Sequence, residues 1–163
     1  MEVQHNPFSP PSAAGSATAP RRGSPVWAVS AGVLTDIGGS LLVGTLISIV
    51  AAALLIAGGT PPERVESAMV DPDPTSWLSI FGYFVGCVFS FLGGYVCARI
   101  ARHAEYRLAS VLAAIVVAFG LLISAISDNK SSLVLDALLA LLTVGSVMVG
   151  AWGGAVRNRQ VTA

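Results

Sequence analysis

Four long apolar runs dominate this chain, at about residues 33–57, 77–100, 108–126 and 133–156. A helix needs ~20 predominantly apolar residues to cross a hydrocarbon core of ~30 Å. Each run meets or nearly meets that length, and only two carry an internal acid, Asp36 and Asp136. Charged residues are 11% of the chain and the mean hydropathy is +0.75. Soluble domains carry about 25% charge, and a soluble domain of 163 residues could not hide so much apolar surface. The pattern predicts an all-α polytopic membrane protein, a bundle of four transmembrane helices over residues 26–157. A disordered tail is expected over 1–25, which is rich in Pro, Ser, Ala and Gly, and a short cytoplasmic tail over 158–163. No cleavable signal peptide is expected, because the first 25 residues lack an apolar core.

Basic residues set the expected orientation. Arg21, Arg22, Arg99, Arg102, Arg107, Arg157 and Arg159 fall on one side of the four spans, and Arg64 and Lys130 on the other. The positive-inside rule places the seven in the cytoplasm, with both termini. Trp27, Trp77, Tyr95, Tyr106 and Trp152 stand near span ends, where amphipathic rings suit the headgroup level. Between the first two spans, Thr60-Pro61-Pro62-Glu63 has the form of a capping box, with Pro61 at the first helical position, and predicts a short outer helix to about Met69. Asp73 or Thr75 is expected to cap the second span and Ser131 or Ser132 the fourth, with a tight outer turn from Asp128.

In lipid, helices associate through close packing and interhelical hydrogen bonds, so small residues mark their contacts. The second span carries Gly82, Gly86, Ser90, Gly94 and Ala98 at four-residue spacing, one face of a helix. Similar stripes occur at Ser40, Gly44, Ser48 and Ala52, at Ser110, Ala114 and Ala118, and at Ser146, Gly150 and Gly154. These stripes would close the bundle, or leave one over for a second copy or another membrane protein. Gly93-Gly94-Tyr-Val96-Cys-Ala-Arg99 also echoes Gly153-Gly154-Ala-Val156-Arg-Asn-Arg159 at a shift of sixty. A duplicated helical hairpin would produce that echo, and so would the ordinary frequency of glycine pairs and terminal arginines in membrane proteins.

Chemistry-bearing residues are few. Asp36, in Gly32-Val-Leu-Thr-Asp36-Ile-Gly-Gly-Ser40, lies early in the first run, which places it near the cytoplasmic boundary. Arg99 ends the second run on the same side, so an Asp36–Arg99 ion pair is expected, with a proton- or cation-coupling acid as the alternative role. Asp136 starts the fourth run at the opposite face and is expected not to pair with Asp36. Cys87 and Cys97 are ~15 Å apart along one helix and cannot form a disulfide. His103 stands among charged loop residues with no second histidine or cysteine near it in sequence, so no metal site is expected. Neither GxSxG, HExxH nor GxxxxGK(S/T) occurs. No enzymatic activity, cofactor or catalytic residue is expected, and the balance of nine basic and nine acidic residues gives no sign of nucleic acid as a partner.

The stretches Ala31–Ser40 and Gly93–Ala101 resemble segments of uncharacterised four-span inner-membrane proteins of bacteria. The resemblance implies a multi-pass protein of the bacterial cytoplasmic membrane and no particular activity. Four spans with an acid in the first are also similar to small multidrug transporters, although the long tail, the outer loop and the edge position expected for Asp36 depart from that pattern. The leading expectation is a non-enzymatic accessory or assembly protein acting through helix–helix association within the bilayer. The alternative is a small oligomeric transporter or channel that uses Asp36 as an intramembrane acid.

Overall fold

The computed structural model describes residues 23–70, 73, 75–126 and 132–162. Among them are five helices, which we number α1, Pro25–Ala57; α2, Pro62–Val70; α3, Trp77–Ala101; α4, Glu105–Ile126; and α5, Leu133–Thr162. All but α2 are long and apolar enough to span a bilayer. The fold is a helical bundle of the expected class.

Helix α1 begins eight residues before the apolar run that announced it. Ser24 is its N-cap, its Oγ accepting from the Trp27 amide at 3.5 Å, and proline follows in the first turn. This is an ordinary start signal: a small hydroxyl cap and a proline whose missing N–H costs nothing there. Trp27 is therefore inside the first helix rather than ahead of it. At Leu34–Gly38 the helix makes a π turn before continuing as α-helix from Gly39. Such turns are rare and collect at functional sites.

The caps between α1 and α3 differ slightly from expectation. Helix α2 starts at Pro62, one residue late, and Pro61 O accepts from the Arg64 and Val65 amides. Ser76, rather than Asp73 or Thr75, caps α3 by accepting from the Ser79 amide at 3.2 Å. Asp73 instead closes a local turn, its Oδ1 accepting from the Thr75 hydroxyl at 2.7 Å and amide at 2.8 Å. Those two bonds hold the exposed Asp73 carboxyl below its ordinary value. Ser132 directly precedes α5, and its carbonyl accepts from the Leu135 and Asp136 amides. The turn expected at Asp128 and the cap at Ser131 lie outside the described residues.

Packing is dense at one end of the bundle and open at the other. The dense end, which we call the arginine end, holds the start of α1, the end of α3, the start of α4 and the end of α5. Its core is Ala28, Cys97, Ala98, Ala101, Ala109, Leu112, Ala113, Val147 and Ala151. Alanine prevails because the backbones approach closely. Helices α3 and α5 run parallel and touch through glycine: a Cβ on Gly94 would strike the Val147 carbonyl, one on Gly150 the Phe91 carbonyl, and one on Gly154 would lie 2.8 Å from Ala98 Cβ. Helix α1 crosses α3 where Gly32 meets Gly93; a Cβ on Gly93 would lie 2.8 Å from the Gly32 carbonyl oxygen. At the other end, near α2, Cβ atoms on Gly44, Gly82, Gly86, Gly120 and Gly145 would meet nothing within 4 Å.

The small-residue stripe of α3 is thus a contact face over only half its length. Ser90, Gly94 and Ala98 are buried against neighbouring helices, whereas Gly82 and Gly86 line open space. The expectation that Gly82 and Gly86 pack helices together is corrected, because no backbone approaches them. On α4 the buried face is Ala109, Leu112 and Ala113, not the exposed set Ser110, Ala114 and Ala118. The two echoing glycine stretches lie side by side: Asn158 Nδ2 donates to Ala98 O at 2.9 Å, and Arg99 donates to Asn158 Oδ1 at 3.3 Å.

Candidate functional site

A cavity of about 330 Å³ lies between the four spanning helices, in the open half of the bundle. Its walls are mostly apolar, with Val116, Phe119 and Leu139 among them. Its polar lining includes Asp36 and Ser40 from α1, Tyr83, Cys87 and Ser90 from α3, Ser124 from α4, and Asp136 and Thr143 from α5. The glycines Gly82, Gly86 and Gly120 make room for it on α3 and α4.

Asp36 and Ser90 are the most deeply buried of these groups. Asp36 lies in the π turn and is only 3% exposed. Its Oδ1 accepts from the Ser90 hydroxyl at 3.2 Å. Its Oδ2 is buried with no hydrogen-bond partner among the described residues, and the same is true of the Ser40 hydroxyl oxygen. The close Gly32–Gly93 crossing explains the position. It brings α1 near enough to α3 for a side chain as short as aspartate to reach Ser90, and a Cβ on Gly93 would lie 3.0 Å from Asp36 Cβ.

This geometry corrects two expectations. Ser90 is thirteen residues after Trp77 and eleven before Ala101, so its partner Asp36 sits at the mid-height of α3 rather than near a membrane edge. The early start of α1 is the reason, since eleven residues precede Asp36 in the helix instead of three. The Asp36–Arg99 pair does not form either. Arg99 is nine residues beyond Ser90, about 13 Å along the axis towards the arginine end, where it donates to Asn158.

Asp136 is half-buried near the start of α5, and its Oδ2 accepts from Ser124 at 3.2 Å. As expected it is not bonded to Asp36. The two acids nonetheless line one cavity at different depths. Cys87 is a free, half-buried thiol on the cavity wall, and Cys97 is a free thiol in the core. His103 sits in the short α3–α4 turn with a ring nitrogen on the Ala101 carbonyl. No group of three His, Cys, Asp or Glu side chains converges among the described residues.

Three contributors were not assigned these roles from the sequence. The spacing of small residues marks Ser90 only as a packing residue and Ser40 only as part of a stripe. Asn158 was passed over, yet it also donates to Glu105 at 3.4 Å and so ties α3, α4 and α5 together at the arginine end. Ser24-Pro25 was the available signal for Asp36, because a helix starting there carries the acid to mid-span. No protein-family model, no curated protein and no solved structure matches this chain.

Proposed function

We propose that this multi-pass membrane protein is a small transporter or channel in which Asp36 is the acid that carries a proton or cation through the bilayer. One observation supports the choice above all: a buried, half-bonded carboxyl at mid-span that opens on a cavity. A charge at the bilayer centre costs about 3 kcal/mol on insertion scales. The single hydrogen bond from Ser90 offsets about 1.5–3 kcal/mol of that if the acid is ionised, and it leaves Oδ2 unserved. Intramembrane acids that face a cavity rather than lipid mark ion and proton paths. The seven-to-two basic asymmetry supports both termini in the cytoplasm, and the resemblance of Ala31–Ser40 and Gly93–Ala101 to bacterial inner-membrane proteins supports the cytoplasmic membrane of a bacterium as the location.

A second function, that of a non-enzymatic accessory or assembly protein, is favoured by a different observation. Ser40, Gly44, Ser48 and Ala52 line an open groove on the outer half of α1, beside Met69 of α2. Small residues open to lipid allow another helix to approach.

Flux in proteoliposomes separates the two. Asp36→Asn should fold to normal yield and lose ion-coupled flux, since the amide keeps the shape and the Ser90 contact but cannot carry charge. Absence of flux from the wild-type protein, with a stoichiometric partner recovered from native membranes, would replace transport by the accessory role.

A further inference from the structure

Resting on the transport function proposed above, we infer that Asp36, Ser40 and Ser90 form a binding site for a dehydrated monovalent alkali cation. The ligand set is oxygen only: one carboxylate and two hydroxyls, all lining the cavity. Hard cations take such oxygens, whereas softer metals prefer nitrogen or sulfur. Two of the oxygens, Asp36 Oδ2 and Ser40 Oγ, are buried with no partner among the described residues, although buried polar atoms are almost always bonded. A bound cation would satisfy both at once. Ser90 donates its proton to Asp36 Oδ1, which leaves its own lone pairs free to face the ion.

Charge balance selects a single positive charge. One carboxylate at this depth neutralises one charge, and any excess would sit uncompensated among apolar walls. Asp136 cannot supply a second negative charge to the same ion. From the α3–α5 contacts at Gly94–Val147, Phe91–Gly150 and Ala98–Gly154, it stands on the order of 15 Å above the level of Ser90, and it accepts from Ser124. The π turn at Leu34–Gly38 fits the same role. A π turn widens the helix locally without breaking it, and such turns collect at functional sites.

The test uses the full chain in detergent, with thermal unfolding followed in sodium, lithium, potassium or choline chloride at equal ionic strength and fixed pH. The expected result is a saturable rise in midpoint with at least one alkali cation over choline. That rise should vanish in Asp36→Asn, and in Ser40→Ala the half-saturating concentration should increase roughly tenfold. Should Asp36→Asn fail to fold, Ser40→Ala and Ser90→Ala carry the comparison. Identical midpoints in all four salts would overturn the inference, and so would a cation effect undiminished by these substitutions. Proton flux that Asp36→Asn abolishes, without any alkali-cation effect, would reject the cation site and leave the transport role standing. Saturable, Asp36-dependent stabilisation without flux would do the reverse.

Discussion

Two glycines on the same face of α3, eight residues apart, do opposite things. Gly94 has no room for a side chain, because the Val147 backbone of α5 occupies the place of its Cβ. Gly86 has nothing within 4 Å and forms part of the cavity wall. Gly94→Leu should therefore separate α3 from α5 and lower the thermal midpoint in detergent. Overpacking of this kind costs about 1–3 kcal/mol or more. Gly86→Leu should leave the midpoint near that of the wild type while filling the cavity and reducing any Asp36-dependent flux. Equal destabilisation by both would mean that the cavity is absent in the membrane. Four-residue spacing of small residues shows where a backbone could come close; only the neighbour's position decides whether it does. That is why half of the stripe was legible from the sequence and the other half was misread.

Individual helices were far more legible than their ends. An apolar run of ~20 residues is a property of composition alone, so all four spans could be read directly. The π turn had no comparable signal, because Leu-Thr-Asp-Ile-Gly has no distinguishing periodicity. The depth of Asp36 was lost with the true start of α1. The α3–α4 connection shows a different local conflict. It has only three residues between the helices, and Arg102 and Ala104 both adopt left-handed backbone, with φ of 52° and 48°. A Cβ is disfavoured there by about 1–2 kcal/mol per residue. Ala104→Gly should accordingly raise stability by about 1 kcal/mol, measured as a higher unfolding midpoint with cavity-dependent flux unchanged. A lower midpoint would show that the turn is not strained. Arg102 is the poorer position to change, since its charge belongs to the basic cluster on which the expected orientation rests.

Across the whole molecule, the arginines and the dense packing coincide. Arg99 and Arg102 at the end of α3, Arg107 at the start of α4, and Arg157 and Arg159 at the end of α5 gather at the tightly packed end. The orientation follows if that end is cytoplasmic. A reporter fused after Thr162 should be active only in the cytoplasm, and one inserted within α2 only outside; periplasmic activity from the first fusion would invert the molecule and its cavity. The uneven packing also has a mechanical consequence. Glycine contacts clamp α3 to α5, and α1 is held closely from the Gly32–Gly93 crossing to Gly39, whose backbone lies against the Phe89 ring. Beyond Gly39 its remaining length has fewer close neighbours, and it is expected to swing as a lever with its fulcrum near the buried acid. Swinging that arm would open the chamber to one face while the clamped end stays shut. Amide hydrogen exchange along α1 should then be faster over residues 43–57 than over 28–36, and uniform protection along the helix would contradict it. A molecule this small would need no second moving domain to expose an ion to one side of the membrane.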